Sequence, residues 1–79
     1  MPSSTVTVRY SSTGKPAKNQ RVVLSINGAI SGGMTDTEVT DSSGNATIDH
    51  EAKNGTAEVI VDGRRCGQMR IPGAHNVNI

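Results

Sequence analysis

An all-β fold is what this sequence predicts, in the form of a small antiparallel Greek-key β-sandwich of about seven short strands. Three observations predict it. The apolar residues are mainly β-branched, with eight Val and six Ile against one Leu, and such side chains suit a pleated, half-buried surface. Nine glycines and many Ser, Thr and Asn residues supply turns. Apolar and polar residues alternate in short runs spaced about 8 to 12 residues apart, the rhythm of a sandwich.

The first run is TVTVRY, in which Val6, Val8 and Tyr10 share one face. The loop SSTGKPAKNQ follows, punctuated by Gly14-Lys15-Pro16, and RVVLSI then sets Val22, Leu24 and Ile26 on one side. NGAISGG is a glycine-rich connection to the weakly alternating MTDTEVT. NATIDH alternates through Ala46 and Ile48, and TAEVIV through Ala57, Val59 and Val61. CGQMRI and a terminal HNVNI, with Val77 and Ile79 facing inward, complete the set. No stretch keeps a helical period, and the chain, residues 1–79, is expected to form a single sandwich domain.

Two turns set registers. A four-residue loop over Asp41 to Gly44 places Val39 opposite Ala46 and Thr37 opposite Ile48. The outward face then holds Asp36 opposite Asp49 and Glu38 opposite Thr47. Asp62-Gly63 is a strong hairpin signal. A two-residue loop there would put Cys66 and Arg70 on the Val59 face. One extra residue, as in a three-residue loop with a bulge, instead buries Met69 and Ile71 and turns Ile60 and Cys66 outward together. The longer loop is the expectation.

Composition removes several function classes. A net charge of +1 and Tyr10 as the only aromatic leave nothing for the basic stripe and base stacking of a nucleic-acid binder. No apolar run reaches membrane-spanning length, so no membrane insertion is expected. The start MPSSTVTVRY lacks the basic end and apolar stretch of a signal peptide. That fits a cytoplasmic chain as written, or an extracellular or periplasmic one whose leader was trimmed. Cys66 is alone, which excludes an internal disulfide.

The order of signals resembles a known group of folds. VTVRYSSTGKPAKNQRVVLSI is similar to the first hairpin of transthyretin-like (prealbumin-like) sandwiches, in which a Gly-x-Pro turn joins two alternating strands. These sandwiches include carboxypeptidase regulatory-like domains and related bacterial immunoglobulin-like modules. TEVTDSSGNATI resembles their signature hairpin, and GTAEVIVDG resembles the strand that follows. The resemblance covers residues 5 to 79 and implies a non-catalytic module that assists, spaces or docks a partner. Ala57 and Val59 stand where the family usually places an aromatic residue. Arg9 stands where a collagen-adhesin relative would need the lysine of an isopeptide crosslink, so Asn76 and Asn78 gain no crosslinking partner.

Candidate chemistry is sparse. Numbered as an EF-hand from Asp41, the loop TDSSGNATI puts Ala46 where the sharp-turn glycine belongs and Ala52 where the bidentate glutamate belongs. It is a turn. A different cation site would draw on Asp36, Glu38 and Asp49, against the plainer reading of an acidic edge that discourages aggregation. Cys66 with His50 or His75 is the one conceivable thiol–imidazole pair, and neither a nucleophile elbow nor a zinc-ligand spacing supports it. Both histidines are expected at exposed strand ends. Acids gather at Asp36, Glu38, Asp41, Asp49 and Glu51; cations gather early at Arg9, Lys15, Lys18 and Arg21 and late at Arg64, Arg65 and Arg70.

The function read from the residues is a non-enzymatic module that needs no cofactor. It would serve protein–protein contact, self-association or a structural accessory role. Its contact features would be Ile60, Cys66, Arg64, Arg65 and Arg70 with the free backbone of edge strands. Binding of a small ligand, glycan or cation is the alternative, weakened by the lack of aromatic platforms. A cysteine-dependent enzyme ranks last. NGAISGG could present itself to a protease as an inhibitory loop, although nothing in it specifies one.

Overall fold

The alternating runs become strands, but they choose different neighbours from those that local turn chemistry suggests. The computed structural model describes residues 2–26, 34–50 and 53–79, so the NGAISGG loop and Glu51 lie outside the described residues. Within them the order is β1 (Ser3–Arg9), β2 (Arg21–Ile26), β3 (Glu38–Val39), β4 (Asn45–Asp49), β5 (Gly55–Val61), β6 (Arg64–Ile71) and β7 (Ala74–Asn78). They form a three-stranded sheet in the order β4-β1-β7 and a four-stranded sheet in the order β3-β2-β5-β6. The all-β sandwich is therefore as expected. One pair departs from it: β1 and β7 run parallel, with Val8 beside Val77, while every other pair is antiparallel.

The core lies between the sheets and takes one residue in two from each long strand. Val6 and Val8, Val22 and Leu24, Ala46 and Ile48, Ala57, Val59 and Val61, and Val77 are all buried there. Tyr10 and Ile79, expected to face inward, are 40% and 39% exposed. Each stands just beyond the end of its strand, past the cover of the opposite sheet. Val39 is 52% exposed, because it pairs with Arg21 on the outer side of β2 rather than with Ala46.

That last correction has a general cause. β3 belongs to the four-stranded sheet and β4 to the three-stranded one, so TDSSGNATI is a link between sheets and not a hairpin. Asp49 pairs with Ser3, and Glu38 pairs with Val22. Likewise β1 and β2 lie in different sheets, and the Gly14-Lys15-Pro16 loop is an arch between them. Among the described strands, sequence neighbours share a sheet only at β2–β3 and β5–β6.

The link is anchored by its turn. The Asp41 carboxylate accepts hydrogen bonds from the backbone N–H of Ser43 at 2.9 Å and of Asn45 at 3.0 Å, an aspartate turn that mimics backbone pairing. Gly44 is buried with φ +80°, and a Cβ built there would meet the carbonyl oxygen of Val8 at 2.5 Å. Its own carbonyl accepts from Val8 N–H at 2.7 Å. Thr40, also buried, donates its hydroxyl to the Ala17 carbonyl at 2.6 Å and accepts from Gln20 N–H at 2.9 Å. The two arches are thus fastened to one another as well as to β1.

The β5–β6 hairpin reaches the expected burial by another route. Val61 pairs with Arg64 and Ile60 with Arg65, so Asp62-Gly63 is a two-residue loop. Both of its residues have positive φ, 49° and 81°, as a type I′ turn requires. The extra residue enters further along: the register shifts by one between Ile60–Arg65 and Glu58–Gln68, a bulge at Cys66-Gly67. Met69 and Ile71 are consequently buried. Since the bulge follows Cys66, the thiol faces the core, where it packs half-buried, and does not turn outward with Ile60.

Because Gly44 combines a positive φ with no space for a methyl group, Gly44→Ala should lower stability by about 2–3 kcal/mol. Urea denaturation should show a lower midpoint at an unchanged slope.

Candidate functional site

The outer face of the four-stranded sheet is built by residues that the alternation leaves unburied. Val23 on β2 lies directly opposite Ile60 on β5, and both are half-buried. Met34 bridges to Ser25 beside them and is 61% exposed. With Arg21, Thr37 and the Asp62-Gly63 turn they line an open groove of about 440 Å³. Val39, opposite Arg21, extends the apolar strip toward the β3 edge.

Cations border this strip. Arg65 stands opposite Ile60, and Arg70 stands opposite Thr56, on the same outer face. Arg65 Nε lies 3.1 Å from Glu58 Oε1. Its side chain is 81% exposed, so the pair contributes little to stability and leaves the guanidinium open to solvent. Arg21 flanks the groove from β2, and its backbone N–H donates to Asp62 Oδ1 at 3.2 Å.

The five residues expected at an interaction surface therefore divide. Ile60, Arg65 and Arg70 share the outer face, with Arg65 directly opposite Ile60 and Arg70 further along, opposite Thr56. Arg64 and Cys66 take the other side of β6: Arg64 is exposed at the hairpin end, and Cys66 packs against the core. The Cys66 thiol points its hydrogen bond at the Arg64 carbonyl, 3.5 Å away, and makes none with either histidine among the described residues.

The acidic residues disperse as well. Glu38 belongs to the four-stranded sheet's edge strand and Asp36 to the segment just before it, whereas Asp49 ends β4 in the other sheet. The register that placed Asp36 opposite Asp49 does not form. Among the described residues no three His, Cys, Asp or Glu side chains converge as metal ligands would.

One polar cluster escaped the sequence reading. His50 is buried, not exposed at a strand end, and its Nε2 lies 2.8 Å from Ser4 Oγ, also buried. Gly73 N–H donates to the same hydroxyl at 3.2 Å, and His50 N–H donates to the Pro2 carbonyl at 3.0 Å. The cluster ties the start of β1 to the end of β4 and to the β6–β7 turn. A serine–histidine contact is the geometry of an activated nucleophile, but both groups here are buried, at 1% and 3% exposure. It satisfies buried polar atoms. The available signal was period two: His50 continues the inward series Ala46, Ile48.

No protein-family model matches the chain, and no curated protein matches it. Fold and surface define a small β-sandwich whose distinctive features are a groove and solvent-exposed arginines on the same face. No helix among the described residues is long and apolar enough to cross a membrane.

Removing the Ser4 hydroxyl takes a partner from both His50 and the Gly73 N–H in a buried setting. Ser4→Ala should therefore cost about 1–3 kcal/mol, while Ser3→Ala, on the exposed side of the same strand, should stay within about 0.5 kcal/mol. Calorimetric melting of the two variants beside the unaltered chain checks the contrast.

Proposed function

We propose that this protein is a non-catalytic protein-binding module that docks an extended or flat partner on the outer face of its four-stranded sheet. The observation that carries the reading is the groove lined by paired Val23 and Ile60, exposed Met34 and Arg21, with Val39, Arg65 and Arg70 on the same outer face of the sheet. Apolar centre and polar rim are the anatomy of a contact patch, and arginine is enriched at such surfaces because its planar fork pairs with carboxylates. The partner class is a protein segment with apolar side chains and nearby Asp or Glu. Opposite charges would steer encounter and fix register more than they would add affinity.

A transthyretin-like relationship supports an accessory role of this kind, and it rests on turn motifs rather than on a matched family. The two other classes find less support. A glycan site wants an aromatic platform, and Tyr10 lies beyond the end of β1 in the other sheet, away from the groove. Thiol chemistry wants an oriented base, and Cys66 faces the core beside a carbonyl.

The test is retention of partners from the source cell on the immobilised protein, repeated with Ile60→Asp and with Arg65→Glu/Arg70→Glu. A specific partner should be retained by the unaltered chain and then, once purified, bind each variant at least about tenfold more weakly, a loss of about 1.4 kcal/mol. The unaltered complex should also weaken as salt rises from 50 to 300 mM or so. Equal retention by all three proteins would defeat the proposal.

A further inference from the structure

The sandwich has four strand edges, and three of them are blunted. β3 spans two residues, one of them Glu38. β6 is interrupted by the bulge at Cys66-Gly67, and full antiparallel self-pairing would set its Arg65 against the Arg70 of another copy. β4 carries Asp49, and Asp41 stands at the turn that leads into it. Charges, bulges and shortness are the devices by which sheets avoid adding strands. β7 uses none of them: AHNVN contains no Asp, Glu, Lys, Arg or Pro and pairs with β1 without a register shift.

The backbone parity of β7 is given by its bonds to β1. Thr5 N–H donates to the Gly73 carbonyl, Ile79 N–H donates to the Arg9 carbonyl, and Ser11 N–H donates to the Ile79 carbonyl. In a parallel pair alternate residues carry these bonds, so residues 73, 75, 77 and 79 face β1. The N–H and C=O groups of Ala74, Asn76 and Asn78 face outward, and all three residues are exposed. Sheet order confirms that no strand of the described residues lies beyond them.

We infer that β7 is a self-association edge, which pairs antiparallel with β7 of a second copy of this chain about a two-fold axis at Asn76. This register is self-complementary. Ala74 stands opposite Asn78 of the second copy, and Asn76 stands opposite its own counterpart, so every outward N–H and C=O of these three residues gains a partner. The side chains that meet on the outer face are neutral, and the two Asn76 amides can bond to one another, each having a donor and an acceptor. Charge favours a second copy as the occupant: β7 carries no charged residue, so its self-pairing sets no like charges against one another. The two three-stranded sheets would become one six-stranded sheet, with the outer groove of each copy's other sheet left free.

Asn76→Pro separates this inference from a general loss of structure. The N–H it removes points away from β1, so the internal ladder keeps its bonds, and proline is tolerated at an edge position of this kind. Asn76→Lys is the second variant, which places like charges opposite one another without altering the backbone. Light scattering after size exclusion, from micromolar to millimolar protein, should give the unaltered chain a mass that rises toward twice 8.2 kDa. Both variants should keep the β-sheet circular dichroism and raise the dimer dissociation constant at least tenfold; if the proline variant does not fold, the lysine variant decides. Arg65→Glu/Arg70→Glu should dimerise as the unaltered chain does, which keeps this outcome separate from that of the groove. A mass of 8.2 kDa at every concentration, or a dimer indifferent to Asn76→Lys, would overturn the inference.

Discussion

The backbone of Val8 is the point on which the rest of this sandwich depends. Its N–H donates to the Gly44 carbonyl and its carbonyl accepts from the Ala17 N–H, so one residue of β1 holds both the link from β3 to β4 and the arch from β1 to β2. Thr40 closes the ring by donating to the Ala17 carbonyl. Four connections change sheets, those after β1, β3, β4 and β6. The links after β1 and β3 bring buried residues, Ala17, Thr40 and Gly44, whose backbone the strand ladders do not pair, and an unsatisfied group would cost more than its bond contributes. A chain with one Leu, no Phe and no Trp has little apolar area with which to offset such a loss. Polar closure at these crossings therefore matters more here than in a larger sandwich.

A second closure stands at the β6–β7 turn. Ser4 receives the Gly73 N–H and contacts His50, which ties the first strand to the segment that leads into the last. The parallel pairing of β1 with β7 then brings the start and the end of the chain into one ladder. Such a contact spans nearly the whole sequence and forms against the largest loop-closure entropy available to this chain. The bulge at Cys66-Gly67 serves the same region: it returns Met69 and Ile71 to the core after a short turn and leaves space at Gly67, whose missing Cβ would stand 3.8 Å from His75 Nε2.

These constraints also leave the molecule with two separate surfaces. The groove at Val23 and Ile60 exists because β2 and β5 are adjacent central strands that each place one apolar residue on the outer side, directly opposite the other. The edge at β7 exists because, among the described residues, β7 is the last strand of a three-stranded sheet. One surface offers side chains and charge, and the other offers backbone. A module that docks a partner through the first and a second copy through the second would present two grooves per assembly, with avidity as the consequence.

The sequence by itself determined the all-β class, most strand positions and most of the core. Alternation is local, and the two sides of a strand differ in solvent exposure wherever the chain goes, so Val22, Leu24, Ala57 and Val59 were legible from period two alone, whereas Met69 and Ile71 also needed an extra residue in the hairpin, expected in the turn and found at the Cys66-Gly67 bulge. It also identified Asp41 and Gly44 as a turn and Ile60, Arg65 and Arg70 as surface residues. Tertiary structure decided which strands are neighbours. A turn after a strand reverses the chain in the same way whether the next strand joins its own sheet or the opposite one, and that choice separated Asp49 from Asp36 and turned Val39 outward. It also decided the burial of His50 and the inward turn of Cys66. The first depends on Ser4, 46 positions away in the chain; the second depends on where a bulge falls within β6, which no local pattern marks.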